Sequence, residues 1–263
     1  MGVAPADSQT VESLLKALRD DSARNAWPIQ DLSRWPDRCR LHLSGDPASD
    51  QTAFLLVSGH PGTGDVPVVI LGGDPDAAGS LLADHLPEPP LVVRETAATF
   101  LPGLKERMPD AKFYSEQRMD VSREEFRPAV RSTARQLSRD DAAKLAAFIG
   151  APPQAARGFE EWVSNAVVYG IEQEGRFASI ASTMVRLPEV WTLVSIETAS
   201  DLRGRGFGTQ VCSAITAKAL EEAPRVSLTV RKDNDSAIRL YRKLGFQARE
   251  DRIWVSWGTD AAP

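Results

Sequence analysis

The chain has 263 residues, which is enough for one large domain or two ordinary ones. Hydrophobic residues make up 42% of it and charged residues 25%, values typical of a globular protein with a sizeable core. The net charge of −5 is unevenly spread: residues 128–263 carry 18 Lys and Arg against 16 Asp and Glu, and residues 1–127 carry 13 against 20. The sequence contains no basic block that would indicate a nucleic-acid interface, and no run of 18 apolar residues that would indicate a membrane span.

The first half reads as α/β or α+β material. Periodicity predicts a helix from Val11 to about Ala23, capped by Ser8 or Thr10, and a short connecting element between Trp27-Pro28 and Trp35-Pro36. The remaining predicted elements are listed in chain order: strands over 39–43, 53–57 and 66–71, a helix over 77–85, a strand over 91–94, a helix over 97–108 interrupted at Pro102, and a strand over 112–119.

Two features of this half could suggest function and are better explained otherwise. The loop Gly59–Asp65 spans the six positions of a phosphate-binding Walker loop, but Asp65 stands in the lysine place and Pro67 introduces a strand, so we interpret it as a hairpin turn. The cysteines, Cys39 and Cys212, support neither a disulfide framework nor a metal site, and no metal is expected. The N-terminus carries no signal sequence, so the expected location is the cytoplasm.

A domain boundary is predicted after Arg127, because the polar segment 124–128 ends in a proline. Beyond it we expect a strand over 129–137, a helix capped at Ser138 and closed by Gly150, and a short helix over 159–164. A hairpin about Glu174-Gly175 follows, and then a buried strand from Val190 to Ile196. The predicted order of this half is β-α-α-β-β-β-α-β-α-β-β, with two strands between Phe246 and Trp257.

The glycine-rich turn after the buried strand is the main functional signal. It contains Arg203, Gly204, Arg205, Gly206, Phe207 and Gly208, and it leads into a helix with Phe207, Val211 and Ile215 on one face. Glycines permit a positive φ and close approach of a ligand, and the first turn of a helix presents unpaired N–H groups. The turn therefore predicts an anion-binding cradle suited to a diphosphate.

A second motif lies downstream of a short strand over 225–231. It reads N-x-x-A-x-x-x-Y-x-x-x-G-F, from Asn234 through Ala237, Tyr241 and Gly245 to Phe246. Asn234 and Tyr241 are seven positions apart and therefore share a helical face.

Together, Arg-x-x-Gly-x-Gly and this second motif resemble the GNAT superfamily of acyl-CoA-dependent N-acyltransferases, over residues 130–257. The resemblance implies the GNAT fold, a mixed and mostly antiparallel sheet flanked by helices, for 128–263. The leader from Ile196 to Gly206 is most similar to the two-domain glycine N-acyltransferase-like group, in which residues 1–127 would be a degenerate GNAT-like half without a cofactor loop. An unrelated N-terminal domain is the alternative.

The resemblance also assigns roles. Acetyl-CoA is expected as acyl donor, with main-chain groups of Ile196, Glu197 and Thr198 at the pantetheine and thioester. The amides of Arg203–Thr209 would bind the pyrophosphate. Asn234 would bind the cofactor arm, Ala237 would leave room for it, and Tyr241 would be the general acid.

The general base is less defined, because Thr192 stands where superfamily members often carry a glutamate. Glu197, Glu160 and Glu161 are candidates, and a water relay or an amine that arrives neutral would need no base. Two functions remain open: an N-acetyltransferase that acts on a small-molecule or protein amine, or a catalytically weak CoA-binding sensor or scaffold. The acceptor, the acyl length and the oligomeric state are not specified by the sequence.

Overall fold

The computed structural model describes residues 7–59 and 66–261, except for the side chains of Pro153 and Ala156. The proposed hairpin turn at Gly59–Asp65 therefore lies, apart from its first residue, outside the described residues. Within the described ranges no helix has both the length and the apolar character needed to cross a bilayer.

The chain folds as two compact units that are discontinuous in sequence. The amino-terminal unit runs to Arg118 and also includes Thr229–Asn234 and the chain from Arg249 onwards. The carboxy-terminal unit comprises Met119–Leu228 and Asp235–Ala248. The boundary predicted after Arg127 remains a prediction. The first unit also contains two segments of the chain that follow this position, Thr229–Asn234 and the chain from Arg249 onwards.

The elements of the first part of the chain alternate between helices and strands. They are α1 (Ser8–Leu18), α2 (Ala26–Arg34), β1 (Cys39–Leu43), β2 (Ala53–Ser58), β3 (Val68–Gly73), α3 (Gly79–His85), β4 (Leu91–Ala97), α4 (Leu101–Arg107) and β5 (Lys112–Ser122).

The elements of the second part follow the predicted order up to its end. They are β6 (Arg135–Gln136), α5 (Ala142–Ile149), α6 (Ala156–Asn165), β7 (Val167–Gln173), β8 (Arg176–Arg186), β9 (Trp191–Thr198), α7 (Phe207–Glu222), β10 (Arg225–Arg231), α8 (Asp235–Lys243) and β11 (Gln247–Trp257).

Each unit contains a mixed sheet that is mostly antiparallel. In the amino-terminal unit β1, β2 and β3 pair antiparallel, β3 and β4 parallel, and β4 and β11 antiparallel. In the carboxy-terminal unit the order is β10-β9-β8-β7-β6, and only β9 and β10 are parallel. Helices cover these sheets with apolar side chains, as in the cluster of Leu137, Leu145, Val168, Phe177 and Ile180.

Five sequence predictions about elements and caps are corrected by the structure. The stretch 27–36, predicted as a connecting element, is mostly the helix α2. Pro28 is tolerated in its first turn, because the N–H that proline lacks would have no partner within the helix there. Pro102 likewise lies at the start of α4 and does not interrupt it. The strand predicted over 129–137 is reduced to β6, and the two strands expected at the end are the single strand β11. The cap of α1 is Asp7, whose carboxylate accepts from the Thr10 N–H.

The two ends of the helix predicted between Ser138 and Gly150 were predicted correctly. Ser138 and Asp141 form a capping box, and Gly150 ends α5 with a left-handed φ of 75°. Arg135 donates to both carboxylate oxygens of Asp141, at 2.8 and 2.6 Å, and this pairing lowers the pKa of Asp141 to about 2.

A depressed carboxyl pKa stabilises the fold at neutral pH, and the stabilisation is lost as the pH falls through the folded-state pKa. We expect Asp141→Asn to lower the free energy of unfolding by about 1–2 kcal/mol at pH 7. The difference from wild type should shrink between about pH 4 and pH 2, because both proteins then carry a neutral side chain. Urea unfolding at several pH values measures it, with the exposed neighbour Asp140→Asn as control; a difference independent of pH would contradict the assignment.

The close packing around Gly245 allows a second prediction about stability. Gly245 ends α8 with φ at 97°, and a Cβ placed there would collide with the Glu125 carbonyl oxygen. Gly150 has a similar φ of 75°, but a Cβ there would meet nothing within 4 Å. We expect Gly150→Ala to cost about 1 kcal/mol and Gly245→Ala about 2 kcal/mol more, measured by urea unfolding. Equal losses would show that backbone conformation alone requires glycine at 245.

Candidate functional site: a glycine turn beside an unpaired strand end

The pairing between β9 and β10 stops before β9 ends. Their parallel ladder runs from Trp191 and Val226 to Leu193 and Leu228, whereas β9 continues to Thr198. The segment from Val194 to Thr198 stays paired with β8 on its other side. Its edge towards β10 therefore presents main-chain groups that the β9–β10 ladder leaves unpaired.

A β-bulge lies at the start of this segment, which is paired with β8 but not with β10. Ile180 pairs with Glu197 and Ser182 with Val194, so that Ser195 and Ile196 lie opposite Ala181 alone. Ser195 has a φ of 50°, which is uncommon for a residue with a side chain. Such bulges bend a strand and increase its twist, and they therefore redirect the groups that follow.

The hydroxyl of Ser179 fixes the end of β9 from the β8 side. It donates to the carbonyl oxygen of Glu197 at 2.6 Å and lies 2.9 Å from the Thr198 hydroxyl. Ser179 is fully buried. The hydrogen bond holds the Glu197 carbonyl towards β8, so this carbonyl is not available at the opposite edge.

The glycine turn follows β9 after a 3-10 turn over Ser200–Leu202. Gly204 and Gly206 have φ of 75° and 84°, and a Cβ on either would enter open space. Glycine is therefore required here by the backbone conformation, and the side of the turn that a Cβ would occupy is vacant. The residues from Arg203 to Gly206 are exposed.

The start of α7 has no side-chain cap. Gly206 is its N-cap residue, and the first intrahelical bond runs from the Gln210 N–H to the Gly206 carbonyl at 3.1 Å. The N–H groups of Phe207, Gly208 and Thr209 precede that bond and point out of the helix end. At 16 residues α7 is long enough for its dipole to add positive potential at this end.

Gly208 lets three elements approach each other. A Cβ on it would lie 3.1 Å from the Thr198 hydroxyl of β9 and 3.2 Å from a methyl carbon of Leu240 in α8. The end of β9, the glycine turn and α8 are thus brought together at one place in the carboxy-terminal unit. This junction is where the sequence motifs predict the binding site.

The charges around the turn favour an anion. The Arg203 Nε–H points to the Thr198 carbonyl at 3.4 Å, and the Arg205 guanidinium lies 5.6 Å from the centre of the Phe207 ring. The nearby carboxylate of Asp201 is neutralised by Arg176, whose hydrogen bonds lower the pKa of Asp201.

Tyr241 lies on the buried face of α8. Its side chain is 5% exposed, and its ring lies 5.9 Å from that of Phe246. Burial, with a smaller contribution from Cys212, raises the pKa of Tyr241 well above its ordinary value. The phenol therefore keeps its proton throughout the physiological pH range.

The other predicted residues occupy varied positions. Ala237 is half-buried on α8, and Asn234, directly before α8, belongs to the amino-terminal unit. The side chain of Glu197 is exposed on β9, and Glu160 and Glu161 are exposed on α6. These three carboxylates are therefore open to solvent.

Two residues of this region were missed by sequence reasoning. Ser195 carries no sequence signal, because its positive φ is imposed by the pairing of β9 with β8. Ser179 could have been found, since a serine within the apolar run 177–181 requires a hydrogen-bond partner when it is buried.

Comparison with known proteins agrees with this geometry. The family described as FR47-like protein matches residues 168–255, a range that includes β9, the glycine turn and α8. Mycothiol acetyltransferase of Corynebacterium aurimucosum is 39% identical over 59 residues, which are 22% of this chain and 19% of that protein. The chain thus spans about a fifth of the length of this curated relative.

Solved structures extend the likeness to the whole chain. A Drosophila protein superposes with a TM-score of 0.72 at 14% identity, over 97% of this chain and 99% of its own. A tandem GNAT protein from the clavulanic acid biosynthesis pathway superposes with a TM-score of 0.59 at 14% identity, over 99% and 98%. Residues 168–255 thus match the FR47-like family, and the chain shares its fold with a tandem GNAT protein. The predicted fold class, a GNAT fold preceded by a second α/β part, is confirmed.

The residues of the glycine turn fit a diphosphate such as that of coenzyme A. The fit rests on the open space at Gly204 and Gly206, the uncapped start of α7 and the exposed guanidiniums of Arg203 and Arg205. A side chain at either glycine would fill the space that the phosphates need.

We expect Gly206→Ala to weaken CoA binding at least about tenfold, because a methyl group would enter the cradle and the turn would lose its conformation. Gly175→Ala is the matched control: Gly175 lies in the β7–β8 hairpin with a φ of 80°, and a Cβ there also meets nothing within 4 Å. Isothermal titration with CoA measures both variants. An unchanged affinity in Gly206→Ala would contradict the assignment of the turn.

Proposed function

We propose that the protein is an N-acetyltransferase that transfers an acetyl or other small acyl group from acyl-CoA to a primary amine by direct attack. The observation that carries this proposal is the junction of an open glycine turn with the unpaired end of β9. A diphosphate site alone would suit many nucleotides, whereas a strand edge beside it suits the amide-rich arm of coenzyme A.

Acetyl-CoA supplies an activated thioester. The chain would hold its diphosphate on the amides from Arg203 to Thr209. The edge from Ile196 to Thr198 would bond the pantetheine arm and orient the thioester carbonyl, without the Glu197 carbonyl, which Ser179 holds towards β8. Preorganised main-chain N–H groups at such a carbonyl stabilise the negative charge that develops during acyl transfer.

Tyr241 is the proposed general acid. Its burial holds the proton on the phenol, so the residue enters the reaction in the donor form. A phenol with a raised pKa donates poorly to a thiolate in water, but the same apolar surroundings would also raise the pKa of a thiol beside it. The proposed role therefore requires the sulfur to share the buried environment of the ring.

Deprotonation of the amine is assigned to Glu197 in this proposal. It is the one acidic residue of β9, and residues 128–263 contain no histidine. Its exposure favours contact with solvent and with an acceptor. A water relay, or an amine that arrives neutral, would make the carboxylate dispensable.

The organisation of the chain is also part of the proposal. Residues 1–127 would be a degenerate GNAT-like half that lacks a cofactor loop, as in the glycine N-acyltransferase-like group, and 128–263 the catalytic half. The whole-chain likeness to a tandem GNAT protein supports this division. The proposed setting is the cytoplasm, with a small-molecule or protein amine as acceptor.

A second candidate function is a CoA-binding sensor or scaffold with little turnover. The observation in its favour is Thr192, which stands where superfamily members often carry a glutamate. Its hydroxyl is buried and lies 2.9 Å from that of Ser227, so this position supplies no carboxylate. Release of free thiol from acetyl-CoA in the presence of a panel of amines separates the two functions.

For the transferase we expect Tyr241→Phe to lower kcat roughly 100-fold, since a general acid typically accelerates a reaction about 10²–10⁴-fold. The dissociation constant for CoA should change by less than about threefold, because phenylalanine preserves the ring and its packing against Phe246. Steady-state kinetics and calorimetry measure the two quantities.

Tyr169→Phe serves as control, because Tyr169 is half-buried on β7 and its pKa is also raised by burial. Its kcat should equal that of the wild type. Wild-type turnover in Tyr241→Phe would disprove the general-acid role, and a parallel loss of CoA binding would assign Tyr241 to binding instead.

A further inference from the structure

Ser179 on β8 carries a buried hydroxyl to which the proposed reaction gives no role. Its strand is paired on both sides, so that Ser179 lies opposite Ile171 of β7 and opposite Thr198 of β9. The residue is fully buried, and a buried hydroxyl is costly unless it is hydrogen-bonded. Its hydrogen bonds go to the last two residues of β9, Glu197 and Thr198.

These hydrogen bonds form a chain with one direction. Ser179 has a single hydroxyl proton, which it donates to the Glu197 carbonyl oxygen at 2.6 Å. The Thr198 hydroxyl, 2.9 Å from that of Ser179, must therefore be the donor of the second bond. The chain thus runs from the Thr198 side chain through Ser179 to the Glu197 carbonyl, and it holds the Thr198 side chain in one rotamer.

The pairing register shows why Thr198 matters at the open edge of β9. The Ala199 N–H donates to the Ala178 carbonyl oxygen at 2.9 Å, so these two residues form a hydrogen-bonded pair. Their neighbours Ser179 and Thr198 then form a pair without main-chain bonds, in which the side chains lie close together. The Thr198 N–H and carbonyl therefore point away from β8, towards the edge that the β9–β10 ladder leaves unpaired.

Thr198 also connects this edge with the glycine turn. A Cβ on Gly208 would lie 3.1 Å from the Thr198 hydroxyl, so this hydroxyl lies directly beside the first turn of α7. The Nε–H of Arg203 points to the Thr198 carbonyl oxygen at 3.4 Å. One residue thus lies against β8, the glycine turn and the start of α7.

A bound coenzyme A would reach across this junction. Its diphosphate would lie on the N–H groups at the start of α7, and the amides of its pantetheine arm would pair with the strand edge. A shift of the strand end relative to α7 would spoil the match between these two contacts. Bound reactants tolerate little misplacement, because an error of about 1 Å can cost a hundredfold in rate.

We propose that Ser179 is a positioning residue for the thiol arm of coenzyme A. Through Thr198 it fixes the strand edge that binds the arm at a set distance from the helix start that binds the diphosphate. Ser179 is fully buried and acts only through Thr198. The inference rests on the proposed function and adds to it a residue of β8, a strand that contains neither of the two sequence motifs.

The test compares coenzyme A with ADP, which has a diphosphate but no thiol arm. Calorimetry measures the affinity for coenzyme A, and competition with coenzyme A measures the weaker affinity for ADP. We expect Ser179→Ala to weaken coenzyme A binding about five- to tenfold and ADP binding less than about twofold. A merely structural loss would weaken the binding of both ligands equally.

A second variant makes the test independent of how well Ser179→Ala folds. Thr198→Val preserves the shape of the side chain and removes its hydroxyl, so it should change the two affinities in the same way. The double variant should bind coenzyme A at most about twofold more weakly than either single variant, because both substitutions break the same hydrogen-bond chain.

Thr183→Val is the matched control. Thr183 is also a fully buried residue of β8, and its hydroxyl donates to a β9 carbonyl, that of Thr192, at 2.8 Å. Thr192 lies where β9 is still paired with β10, so this bond does not act on the open edge. Thr183→Val should bind both ligands as the wild type does.

Three results would overturn the inference and leave the proposed function standing. They are an unchanged affinity of Ser179→Ala for coenzyme A, equal losses for coenzyme A and ADP, and additive losses in the double variant, which would show that the two hydroxyls act separately. A wild-type protein that does not bind coenzyme A would remove the proposed function together with the inference.

Discussion

The early end of the β9–β10 ladder is the constraint on which the functional interpretation depends. Strand pairing normally consumes the main-chain hydrogen-bonding groups along a sheet edge. Here pairing stops at Leu193, and the bulge at Ser195 turns the rest of β9 before the chain enters the glycine turn. The same few residues therefore provide a strand edge, an uncapped helix start and space above two glycines. No single one of these features would specify a CoA-like ligand.

The two bulged strands show how the halves of the chain differ. Glu95 in β4 and Ser195 in β9 share a φ near 50°, and each strand leads through a 3-10 turn towards a helix. After β9 the helix has 16 residues and an open glycine turn; after β4 it has seven and begins at Leu101-Pro102. The described residues after β4 thus show the strand distortion without a following glycine turn.

Much of the carboxy-terminal half could be predicted from sequence because its signals are local. Glycines with required positive φ, a capping box at Ser138 and apolar periodicity in α7 each act over a few residues. The bulges at Ser195 and Glu95 could not be predicted, since they arise from the register with neighbouring strands. The burial of Tyr241 could be predicted only in part: its position on α8 follows from spacing, but the burial that raises its pKa depends on packing against neighbours such as Phe246.

The most direct test is a crystal structure of the protein with coenzyme A bound. The diphosphate should lie within hydrogen-bonding distance of the amides between Gly204 and Thr209. The pantetheine arm should run along β9 beyond Leu193, with the sulfur near the hydroxyl of Tyr241. A diphosphate bound elsewhere, or a sulfur separated from the phenol by packed side chains, would contradict the proposed transferase.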